Sequence, residues 1–142
     1  MGKRSTSRKI AMQALYQIDV AKIPYDEAFR NIISEQEFID ETKSYAHKLL
    51  KGVIDNISEI DLEVSKYSKK WPLDRMSIVD RNIIRLAVYE LMFEKKTPVA
   101  VIVDEAVELA KKYSSEEAKS FINGILSAIV KNNGKIKVCS QE

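Results

Sequence analysis

Three prolines punctuate this chain, and between them apolar residues recur at the spacing of α-helices. Pro24 interrupts the first such pattern. Trp71-Pro72 stops a later one, because the residue before proline is pushed out of the α region, and Thr97-Pro98 ends the next. Only four glycines accompany the three prolines in 142 residues, too few turn formers for an all-β fold. The length suits one domain or two small packed subdomains, and the core needs neither disulfides nor metal. The single cysteine, Cys139, excludes a disulfide framework and points to a reducing compartment. No apolar stretch reaches transmembrane length, so no membrane role is expected.

The helices can be placed from their apolar faces. Ile10, Ala11, Ala14, Leu15 and Ile18 share one side of a first helix running from about Ser7 to Ala21, with Ser7 as N-cap. Met12, Tyr16 and Val20 form a second stripe headed by Lys9. Tyr25, Ala28, Phe29, Ile32 and Ile33 predict a second helix, residues 35–41 a loop, and Tyr45, Ala46, Leu49, Leu50, Val53 and Ile57 a third helix. Ser58 with Asp61 has capping-box spacing, and Ile57 with Leu62 fits a hydrophobic staple, opening a short fourth helix that ends near Tyr67. Ser77 with Asp80 repeats the capping spacing before a helix that is apolar over much of its circumference and therefore central. The β-branched run Val99–Val103 is the one strand-like stretch; it reads here as the start of a helix reaching Lys112. Ser114 with Glu117 predicts a third capping box ahead of a last helix lined by Ala118, Ile122, Leu126 and Ile129. Asn132-Asn133-Gly134 ends the order, leaving a flexible tail over 133–142.

Charge is distributed unevenly. The net charge is +2, yet Lys3, Arg4, Arg8 and Lys9 all precede the first acid, Asp19. With Ser7 as cap, Arg8 and Lys9 fall in the first turn, where the helix dipole already presents positive charge and disfavours cations. A phosphate partner would relieve that conflict. Any nucleic-acid role is thus local to this patch, since the rest of the chain is slightly acidic.

Catalytic constellations are missing. His47 is the only histidine and has no Glu three residues before it, so the di-iron bundle pattern fails. Cys139 lacks zinc-ligand spacing, and no glycine-rich phosphate loop occurs. Asp104 and Glu108 share a helix face but read as a solvated flank balanced by Lys111 and Lys112. No catalytic residue, metal site or cofactor is expected.

Binding constellations are present. The basic N-terminus with Tyr16 fits neutralisation of an RNA backbone combined with base stacking; a solvated terminus with a tyrosine closing the core is the plainer alternative. Phe121 beside Lys119 carries the same ambiguity. Asp80, Arg81 and Arg85 open the central helix. They read either as a polar rim for a protein partner or as a self-capped helix whose arginines pair with nearby acids.

From about Arg8 to Ala128 the chain resembles the NusB family of transcription antitermination factors. The resemblance rests on Ala14-Leu15-Tyr16-Gln17, on Trp71-x3-Arg75, and on Val79-Asp80-Arg81-Asn82-x2-Arg85-Leu86-Ala87-x-Tyr89-Glu90-Leu91. Asp104-Glu105-Ala106-Val107-Glu108-Leu109-Ala110-Lys111 and Phe121-Ile122-Asn123-Gly124-Ile125-Leu126 extend it. It implies an all-α fold of about seven helices in two small packed bundles, here about residues 7–67 and 73–132, without enzymatic activity. It implies binding to boxA RNA of ribosomal-RNA transcripts together with NusE, a small ribosomal-subunit protein, and assembly in the cytoplasm with RNA polymerase and the other Nus factors. Residue by residue, the family's basic segment falls on Lys3, Arg4, Arg8 and Lys9. Its RNA-side aromatics fall on Tyr16 and Phe121, the latter beside Lys119. Its NusE-linked acid falls on Asp80, next to Arg81. Here Ser5-Thr6-Ser7 split the basic arm that is often contiguous in the family. A homodimer covering the RNA face occurs among relatives. Two rivals follow: a helical protein-interaction adaptor that never touches RNA, and a stand-alone relative of the NusB-like domain of ribosomal-RNA methyltransferases.

Overall fold

The computed structural model describes residues 2–134 and 136 of the chain. Among these residues the chain forms seven α-helices and no strand: α1 (Lys3–Ala21), α2 (Tyr25–Ile33), α3 (Asp40–Asp55), α4 (Ile57–Ser65), α5 (Ile78–Phe93), α6 (Val99–Tyr113) and α7 (Glu116–Asn132). A short 3₁₀ turn, Leu73–Arg75, precedes α5. Helices α1, α2 and α3 pack on one another, as do α5, α6 and α7, and α4 packs against α5 and α7. Helix α5 also packs on α1 and α3, so one continuous core runs from Ile10 to Ile129. The β-branched run at Val99 is helical, with Ile102 and Ala106 buried; packing of one face outweighs its strand propensity.

Helix starts differ from several sequence expectations. Helix α1 begins at Lys3, with Gly2 rather than Ser7 at the N-cap. Ser7 is buried instead, and its hydroxyl donates to the Lys3 carbonyl at 3.0 Å and the Thr42 carbonyl at 2.8 Å, fixing α1 to α3. The first-turn cations are therefore Lys3 and Arg4, not Arg8 and Lys9. Ser58 does not cap α4, which starts from Asn56; Asp61 is drawn to Arg85, and Leu62 is 63% exposed, so the staple is absent. Ser115, one residue after the expected Ser114, caps α7 by accepting from the Ala118 N–H at 3.0 Å. The cap at Ser77 is as expected: its hydroxyl accepts from the Asp80 N–H at 3.1 Å.

Two local details hold the bundle. Gly52 lies so close to the Tyr89 ring that an added Cβ would collide with it, which ties the α3–α5 spacing to glycine. At the other end, Asn133 donates to Glu63 at 2.8 Å and Ile136 is buried in the core. The chain is thus still packed beyond Asn132. The remainder of the expected tail, with Cys139, lies outside the described residues. Among the described residues, no helix is long and apolar enough to cross a membrane and no cluster of His, Cys, Asp and Glu could hold a metal ion.

Candidate nucleic-acid interface

The four N-terminal cations go to four different places. Arg8 is only 3% exposed. Its Nε donates to Glu90 Oε1 at 2.7 Å and its Nη2 to Glu90 Oε2 at 2.9 Å, a bidentate pair inside the core. Tyr45 of α3 donates to the same carboxylate at 3.3 Å, and Glu105 of α6 lies 3.6 Å from Arg8 Nη1. Glu105 also accepts from Ser5 at 2.7 Å. One ion pair thereby joins α1, α3, α5 and α6. Burial works against the Arg8 charge, but the hydrogen bond and field of Glu90 outweigh it and hold its pKa above the ordinary value. Burial, then the Glu90 charge, pushes the Tyr45 phenol up to about 12, so it stays a neutral donor.

Lys3 and Arg4 are each engaged by a neighbouring side chain. Lys3 pairs with Glu41 at 3.0 Å on the surface, and the Arg4 guanidinium carbon sits 3.6 Å above the centre of the Tyr45 ring. Lys9 is different. It lines a cleft between α1 and α6 with Glu105, Glu108, Lys112 and Tyr113. Tyr113 also borders the adjoining groove, where Tyr16, Gln13 and Gln17 of α1 face Val79 of α5. Tyr16 is 41% exposed, so it does not close the core. The stripe Lys9, Met12, Tyr16 is realised as a surface flank in which only Met12 is buried. Tyr113 and Lys112 complete this flank, and sequence reasoning missed them. They end α6, a hundred residues from Lys9, and only tertiary packing brings the two ends together.

Phe121 lies apart from Tyr16. It is half-buried against the core and shares its exposed edge with Trp71, which is 49% exposed. Lys119 reaches Glu116, 3.6 Å away on its own helix. The two aromatic regions meet at the first turn of α5, where Val79 lines one groove and Asp80 the other.

Asp80 and Arg81 have opposite surroundings. Arg81 turns inward, its Nε donating to Asp19 at 3.0 Å. Asp19 also accepts from Asn82 at 2.8 Å and Arg85 at 3.2 Å, and Arg85 grips Asp61 in a fork at 2.9 and 3.0 Å. Burial raises the Asp19 pKa, but the hydrogen bonds from Arg81 and Asn82 and the field of Arg85 more than reverse this and hold it below the usual carboxylate range. The arginines do pair with neighbouring acids, whereas Asp80 does not cap its own helix; Ser77 does. Asp80 Oδ1 is buried and accepts no hydrogen bond among the described residues.

Comparison with known proteins identifies the family. Residues 5–131 match the NusB family. The chain is 44% identical over 131 residues to the transcription antitermination protein NusB of Acetivibrio thermocellus, covering 92% of this chain and 90% of that protein. The solved NusB of T. maritima superposes with a TM-score of 0.86 at 39% identity, covering 91% of each chain. A chain from the crystal structure of antitermination factors NusB and NusE in complex with double-stranded RNA superposes with a TM-score of 0.85 at 35% identity, covering 91% of this chain and 96% of that one. In sequence, helix order and three-dimensional form, this chain belongs to the NusB family of transcription antitermination proteins, which act by binding rather than by catalysis.

Proposed function

We propose that this chain binds the boxA segment of ribosomal-RNA transcripts jointly with NusE and joins RNA polymerase and the other Nus factors in the cytoplasm. The observation that carries this reading is the exposed flank of α1 and α6, where Lys9, Lys112, Tyr16 and Tyr113 border two connected grooves. Cations beside exposed aromatic rings suit a single strand whose phosphates are neutralised and whose bases stack. The complex of NusB and NusE with double-stranded RNA among the solved relatives supports RNA binding jointly with NusE. Lys9 contacts phosphate, Tyr16 and Tyr113 stack bases, and Lys3, Arg4 and Lys119 add weaker surface charge. Arg8 acts on RNA only indirectly, by holding α1 in place through Glu90. Asp80, rather than the inward-turned Arg81, is the residue we assign to NusE, through the carboxylate edge that borders the groove at the first turn of α5.

Reconstitution tests this directly. The chain, NusE and a boxA RNA should co-purify as a ternary complex, and a scrambled RNA should not. Asp80→Lys should weaken NusE association in calorimetry. Association with NusE that recruits neither RNA would defeat the antitermination reading in favour of the adaptor that never touches RNA, and equal assembly on both RNAs would defeat its boxA specificity.

A further inference from the structure

We propose that the segment joining α4 to the 3₁₀ turn forms, with Phe121, a second stacking site for single-stranded RNA, a site that rests on the RNA-binding reading above. The pocket there has a volume of about 320 Å³ and is lined by Lys66, Lys69, Lys70, Tyr67, Trp71 and Phe121, together with Ser68. Three cations and three aromatic rings converge, and no carboxylate lines the pocket.

The segment is built rather than frayed. Ser68 is buried and its hydroxyl donates to the Val64 carbonyl at 3.0 Å. The Trp71 N–H donates to the Ser68 carbonyl at 3.0 Å, and Pro72 follows with φ at −61°. These bonds hold the largest side chain of the protein half in water, where hydrophobic burial alone would not put it. Lys66 is paired with Glu63 at 3.1 Å. Lys69 and Lys70 are exposed and have no acid within 4 Å among the described residues.

The occupant follows from this chemistry. A basic partner is repelled, and an acidic peptide would use the lysines but leave the rings exposed. An RNA strand uses both, with phosphates on Lys69 and Lys70 and an unpaired base against Trp71. The site also adjoins the first turn of α5 through the neighbouring groove that Lys70, Trp71 and Phe121 share with Asp80 and Glu117.

Trp71 is the only tryptophan, so incorporating 5-fluorotryptophan gives one fluorine resonance, readable even with unlabelled NusE present. Titration with dye-labelled boxA RNA should shift that resonance in step with the anisotropy of the dye. Trp71→Ala should weaken binding by about 5- to 150-fold and Trp71→Phe by much less. Lys69→Gln with Lys70→Gln should reduce the slope of log K against log salt by about 1.4, at about 0.7 per single-strand phosphate contact. An unmoved resonance at saturating RNA, with Trp71→Ala and the double lysine variant binding like the parent, overturns this site and leaves the Tyr16 groove standing. Failure of the parent to bind boxA RNA at all, with or without NusE, overturns both.

Discussion

Arg8 and Lys9 are neighbours in sequence and opposites in the molecule. Both are cations on α1, one step of the helix apart. Arg8 faces α5 and is locked by Glu90 in the core, whereas Lys9 faces α6 and lines an open cleft. Helical geometry makes the difference: successive residues turn about 100°, so adjacent side chains meet different neighbours. The comparison teaches that a basic segment is not one functional unit. Part of its charge stabilises the fold that presents the rest.

The largest effect should come from breaking the buried side of this contrast. Glu90→Leu removes the bidentate partner of the buried Arg8 charge, leaving only Glu105 at 3.6 Å, and should cost about 3–5 kcal/mol of stability, read from urea unfolding followed by circular dichroism. Combining it with Arg8→Met should restore most of that loss, because packed apolar groups replace a buried pair at little cost. A Glu90→Leu protein as stable as the parent would show that the pair does not organise the four helices. The exposed side should respond in binding instead. Lys9→Gln should change stability by less than about 0.5 kcal/mol and reduce the salt slope of RNA binding by about 0.7.

A smaller effect sharpens the contrast at the far end of α1. Because the folded-state pKa of Asp19 is depressed, its contribution to stability is present above the unfolded carboxylate pKa of about 3.9 and is lost as pH falls through the folded value. Asp19→Asn should therefore lower stability by a constant amount above about pH 5 and flatten the acid limb below it, where the parent loses the Asp19 contribution. An acid limb as steep as the parent's would assign that limb to other carboxylates.

Much of this architecture was legible because helical periodicity is local. Residues near α5 are apolar around most of the helix, and that alone marked it as central. Caps were less legible, since Ser114 and Ser115 are chemically equivalent and only the backbone at Ser115, with φ −150° and ψ 170°, decides between them. The fate of Arg8 could not be read at all, because its partner lies 82 residues away. Tyr113 and Trp71 were missed for the same reason. Trp71 was visible as the residue that stops a helix before proline and as the head of the Trp71-x3-Arg75 motif, but its meeting with Phe121 depends on where α7 lies. Tyr16, by contrast, sat on a recognisable second stripe, and that stripe is the exposed flank.

The central claim is that α1 carries its RNA contacts on the Tyr16 flank while its buried face only supports them. Measuring boxA RNA affinity and the urea midpoint on the same Tyr16→Ala and Tyr113→Ala samples tests this most directly. Each variant should lose about 1–3 kcal/mol of binding with an unchanged midpoint. Unchanged affinity, or affinity lost only in step with stability, would contradict it.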